Sequence, residues 1–100
     1  MNRVTLYDKR FGEREHQILE VYLNEEGDLV FEGYDIGDIV EKYWGDSDYE
    51  YCLTIKKEHV PAVLLWLIKE CFENKRFTND SEFRDWLEEK GIPSEFWSWV

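Results

Sequence analysis

Two runs of alternating side chains, Ile18 to Leu23 and Leu29 to Tyr34, are separated by Asn24-Glu25-Glu26-Gly27, and this spacing constrains the chain more than any other feature. Gly27 can adopt the left-handed conformation that closes a type I turn with a bulge, which sets Asn24 opposite Asp28. The register then follows by counting. Leu23, Val21 and Leu19 face Leu29, Phe31 and Gly33 on one side; Tyr22, Glu20 and Ile18 face Val30, Glu32 and Tyr34 on the other. The first, apolar set reads as the core side.

Other elements attach to this hairpin. Val4-Thr5-Leu6-Tyr7 reads as a preceding strand, with Lys9 to Arg14, including Gly12, as its turn. Asp35 can cap a short helix in which Ile36, Ile39, Val40 and Tyr43 recur at helical spacing and Gly45 is the stop. Tyr49, Tyr51, Leu53 and Ile55 alternate with Glu50, Cys52, Thr54 and Lys56, which predicts a fourth strand. A long helix is predicted from near Glu58 to about Asn74, with Val60, Leu64, Leu67, Ile68, Cys71 and Phe72 as its buried stripe. A last helix opens at Asn79, with Glu82 three residues on, and ends at Gly91 before Pro93. The expected fold is α+β, a β-β-β-α-β-α-α order in which an antiparallel sheet of about four strands carries helices mainly on one face. With 100 residues, the chain is expected to form a single domain over 1–100.

Charge is distributed unevenly. Of a formal net charge of -11, nearly all arises in residues 20–50, where eleven acids stand against Lys42 alone. That segment also holds Tyr22, Phe31, Tyr34, Tyr43, Trp44 and Tyr49, so it reads as a folded acidic surface rather than a solvated tail. Direct binding to nucleic acid or to an anionic membrane needs the opposite sign and is not expected. Cys52 and Cys71 match neither a disulfide framework nor a metal knuckle, and the longest apolar stretch, Ala62 to Ile68, is short for a membrane span. A cytoplasmic protein with reduced thiols is expected.

The facing pair of Glu20 and Glu32 is the most pointed feature. Like charges opposite one another weaken a sheet, so a cation is expected to offset them, and Glu32→Gln is expected to stabilise the free chain. Glu50 lies on the same predicted face, among Tyr22, Tyr34, Ile18 and Val30. Carboxylates ringed by tyrosines suit Arg- or Lys-rich protein, because rings stack on guanidinium planes that the carboxylates grip. A solvated face with tolerated repulsion, or a metal or catalytic site, remain the other readings. A second cluster comprises Asp35, Asp38, Glu41, Asp46, Asp48 and Glu50, interleaved with Trp44 and Tyr49. Asp46 to Glu50 lacks the glycine and distal glutamate of a calcium loop. Asp35 and Asp38 also read simply as helix-cap residues, while a row of such acids can imitate a phosphate backbone. His16 and His59 belong to no catalytic signature, so neither catalysis nor a cofactor or metal is expected. Phe96, Trp97 and Trp99 either fold back onto the core or remain as an interface patch.

Gly33-Tyr34-Asp35-Ile36-Gly37 followed by Trp44-Gly45-Asp46-Ser47-Asp48-Tyr49-Glu50-Tyr51 resembles a pattern in small acidic bacterial proteins to which no activity is attached. In size and charge the chain is similar to immunity proteins of bacterial toxin systems and to phage-type inhibitors. The expected function is an acidic protein-binding module that docks on a basic partner such as a nuclease. The alternatives are a nucleic-acid mimic that blocks a DNA-binding protein and a small carboxylate- or metal-dependent enzyme.

Overall fold

The structure, a computed structural model, describes residues 3–12, 14–37 and 48–98. Four strands, β1 (Arg3–Phe11), β2 (Glu15–Leu23), β3 (Leu29–Ile36) and β4 (Asp48–Ile55), form one antiparallel sheet in the order β1-β2-β3-β4. A 3-10 turn (Lys57–His59) leads into helix α1 (Val60–Glu73), and α2 (Asp80–Glu89) follows. The fold class is α+β. The chain divides into two compact units, Met1–Pro61 and Ala62–Val100.

In the first unit the central hairpin has the register that its turn dictates. Leu23 pairs with Leu29, Val21 with Phe31, Glu20 with Glu32 and Ile18 with Tyr34. The Asn24 amide donates to the Asp28 carbonyl at 2.9 Å, and Gly27 takes φ 86°. Asn24 Oδ1 also accepts from the Glu26 and Asp28 amides, which holds the turn closed. Asp28 is buried, and the Lys57 amide donates to its Oδ1 at 2.9 Å, tying the turn to the end of the sheet. That bond, the Asn24 side chain and Lys56 hold its carboxyl below the usual aspartate range.

Three expectations are corrected here. The first strand runs on to Phe11 and pairs Lys9, Arg10 and Phe11 with Gln17, His16 and Glu15, so the turn is shorter than expected, and an irregularity between Thr5 and Tyr7 leaves Leu6 without an opposite residue. Asp35 and Ile36 do not open a helix: they end β3, opposite Tyr49 and Asp48, because the ladder to β4 holds them extended. The rest of that expected helix lies outside the described residues. Finally, burial is not confined to the side carrying Leu23 and Phe31. Val30, at 5% exposure, lies on the other side, opposite Tyr22 and Thr54, while Leu23 and Leu53 remain about half exposed, at 48% and 55%. Tyr22, beside Val30 in this row, is itself covered by the Arg3 guanidinium.

The second unit is organised on aromatic rings. Phe77, 5% exposed, meets Phe72, Phe83 and Trp86 at centroid distances of 5.8, 5.3 and 5.9 Å, and Phe83 stacks on Trp86. Both helices end in the same way. The Arg76 amide returns to the Cys71 carbonyl and the Lys75 amide to Phe72; the Ile92 amide returns to Leu87 and the Gly91 amide to Glu88. Gly91 takes the left-handed position at φ 70°, and Lys75 takes it at φ 61° without being glycine. At the start of α2, Asn79 Oδ1 accepts from the Glu82 amide, and Glu82 Oε1 accepts from the amide and hydroxyl of Thr78. The predicted α1 stripe is only partly covered: Ile68, Cys71 and Phe72 are half-buried, whereas Leu64 and Leu67 stand 56% and 55% exposed. Phe96 and Trp97 are exposed rather than folded into a core, and Arg84 lies 3.8 Å from the Phe96 ring centroid. No helix of the described residues is long and apolar enough to cross a membrane.

Candidate functional site

Alternation along the ladders divides the predicted site residues between the two sides of the sheet. Glu20, Glu32 and Cys52 form one cross-strand row, flanked by Tyr22, Val30 and Thr54 on one side and by Ile18, Tyr34 and Glu50 on the other. The structure therefore brings Glu20, Glu32, Glu50, Tyr22 and Tyr34 together on a single face. Asp35 pairs with Tyr49, and this row belongs to the opposite face, so the two expected clusters are not one surface. The backbone of Asp48 ends β4 opposite Ile36. Asp38, Glu41, Trp44 and Asp46 lie outside the described residues.

The facing glutamates already have a cation. Arg3, opposite Tyr22 at the start of β1, places Nη1 3.2 Å from Glu20 Oε1 and 3.1 Å from Glu32 Oε2. Its guanidinium lies 4.2 Å from the Tyr22 ring centroid, Tyr22 donates its hydroxyl to Glu32 Oε1 at 2.5 Å, and Thr5 donates to Glu20 Oε2 at 3.3 Å. The Tyr22 and Arg3 bonds hold the Glu32 carboxyl below its ordinary range, and the same Tyr22 to Glu32 bond raises the phenol above its own. This corrects the sequence argument: the cation that was expected from a partner, stacked on tyrosine and gripped by carboxylates, is a residue of the chain itself. Arg3 carried no readable signal, since its place opposite Tyr22 depends on the irregularity at Leu6.

One guanidinium serves two carboxylates, so that row retains a negative charge. Glu50 is exposed and, among the described residues, has no ion-pair partner. Ile18, Glu20, Glu32, Tyr34, Glu50 and Cys52, with Gly33 and Tyr51, line an open depression of about 650 Å³. Cys52 Sγ lies 3.8 Å from Thr54 Oγ1 at its border. Among the described residues, no three His, Cys, Asp or Glu converge in a way that could hold a metal ion. His16 Nε2 stands 2.6 Å from Asp8 Oδ1, away from the depression, and His59 is an exposed residue of the 3-10 turn.

The opposite face has a different chemistry. Tyr7, Leu19, Gly33 and Tyr51 form one row across all four strands, and the outer two residues join by a phenol to phenol hydrogen bond over Gly33. That bond, followed by burial and by nearby Asp35, pushes the Tyr51 phenol up to about 12. Among the described residues Asp35 Oδ1 is buried without a hydrogen-bond partner, and burial raises its carboxyl.

No family model matches the chain, and neither a curated protein nor a solved structure is significantly similar to it.

Proposed function

We propose that the chain is an acidic protein-binding module, an immunity protein or inhibitor, that docks the face carrying Glu20, Glu32 and Glu50 on a basic protein such as a nuclease. The observation that supports this reading is the depression of about 650 Å³ in which these three carboxylates meet Ile18 and Tyr34. Arg3 offsets one of the three charges, which leaves one on the Glu20 and Glu32 pair and one on exposed Glu50. A rigid sheet that presents carboxylates beside an aromatic ring and an aliphatic side chain matches Arg-rich surfaces, with fast, salt-dependent association. The test compares the immobilised protein with its Glu50→Lys variant, both loaded with cell extract at low salt and eluted by raising salt. A protein retained by the parent and lost by the variant is the expected result. Equal retention by both, with the variant folded, rejects this face as the docking surface.

A further inference from the structure

The order β1-β2-β3-β4 gives the sheet two edges, and the chain treats them differently. Sheet edges are commonly protected by bulges and by charged side chains, because their free N–H and C=O groups recruit other strands. The β1 edge has both: an irregularity at Leu6, and Arg3, Asp8, Lys9 and Arg10 along its length. β4 has neither. Its eight residues, Asp48–Ile55, pair with β3 without a shift from end to end and include no Lys, Arg or Pro. Among the described residues β4 has a ladder partner on one side only.

Side-chain chemistry beside that edge specifies the occupant. Glu50 and Cys52 are exposed on the face of the acidic depression, and Leu53, 55% exposed, lies on the other face with half-buried Tyr51. A strand added here would set one row of its side chains beside Glu50 and the other beside Leu53 and Tyr51. We infer that the basic partner binds by adding to β4 a strand in which Arg or Lys alternates with apolar residues, the cations lying beside Glu50 and toward Glu32. Main-chain hydrogen bonds supply the attachment and the alternation supplies the selectivity. A second copy of the chain fits less well, since it would bring another acidic strand against Glu50.

This inference rests on the basic-partner reading, and the experiment separates the two. The probe is an eight-residue peptide alternating Arg and Val, compared by fluorescence anisotropy with the same peptide N-methylated at every backbone amide, which keeps its charge but cannot donate to a ladder. Binding of the first, weakened at least about tenfold by methylation, is the expected result. Equal binding of both overturns strand addition and leaves charge-driven docking intact. Binding of neither overturns both. Sedimentation of the protein alone should give a monomer; a dimer cross-linked through Cys52 under mild oxidation would show that the edge takes a second copy and would also overturn the inference.

Discussion

The ring of Tyr51 lies over Gly33: a Cβ built on that glycine would stand 1.9 Å from Tyr51 Cζ and 2.2 Å from Cε2. Backbone conformation is not the reason for glycine here, since its φ is not left-handed; space is. Gly33→Ala is expected to cost about 1–3 kcal/mol, the usual range for overfilling a packed position. Adding Tyr51→Ala should recover part of that loss, because the two residues share one contact. Urea unfolding of the two single variants and the double variant measures the coupling.

Arg3 and Glu32 carry a prediction opposite to the one their sequence invites. With no cation seen, Glu32→Gln relieves repulsion and stabilises; with Arg3 and Tyr22 bound to it, the change should lower the melting temperature. Glu32 has a depressed folded pKa, so its contribution is present above the unfolded pKa and is lost as pH falls through the folded one. The melting temperatures of parent and Glu32→Gln should therefore converge in acid. Arg3→Ala should also destabilise, by an amount that shrinks in added salt, which screens the two exposed carboxylates. A variant that melts higher than the parent at neutral pH would contradict the bridge.

At alkaline pH the sensitive group is Tyr51. Its raised pKa means that the folded chain holds the phenolic proton more tightly than the unfolded chain does. The resulting stability is fully present below about 10, the ordinary tyrosine value, and is lost as pH rises through about 12. Thermal melts across that window should fall more steeply for the parent than for Tyr7→Phe, which lacks the phenol to phenol bond. Identical slopes would remove that bond from the account.

Phe77→Ala should cost the helical unit about 3–5 kcal/mol, as a large buried ring in contact with three others. Phe96→Ala, at an exposed position, should cost far less. Chemical denaturation that follows helix content distinguishes the two.

Lys75→Gly should stabilise the chain by about 0.5–1 kcal/mol, since a side chain at φ 61° is strained and glycine is not, less the extra freedom glycine gains on unfolding. The equivalent change at Gly91, to Ala, should destabilise. The midpoint of urea unfolding measures both.

What could be read in advance was local. The turn from Asn24 to Gly27 holds its own bonding within a few residues, so the whole β2 to β3 register, including the Glu20 to Glu32 pair, was legible. The cap at Asn79 and the stop at Gly91 were legible for the same reason. Arg3 was not, because one unpaired residue at Leu6 decides which β1 side chains accompany Glu20, and alternation in Val4 to Tyr7 does not reveal it. Asp35 was misread because a helix cap and a strand end both tolerate aspartate, and only pairing with Tyr49 decides between them. Phe77 stands between two helices, outside any periodic pattern, and Lys75 occupies a position where sequence rules look for glycine.

The segment that joins the two helices also makes the molecule self-reporting. Lys75 and Arg76 are exposed and precede Phe77, so a protease specific for basic residues has its scissile bonds beside the ring that anchors the cluster. Such an enzyme must draw several residues on either side into an extended form, which cannot happen while Phe77 is seated. The rate of nicking between α1 and α2 therefore gauges how often that anchor leaves its place, even when no global unfolding is visible.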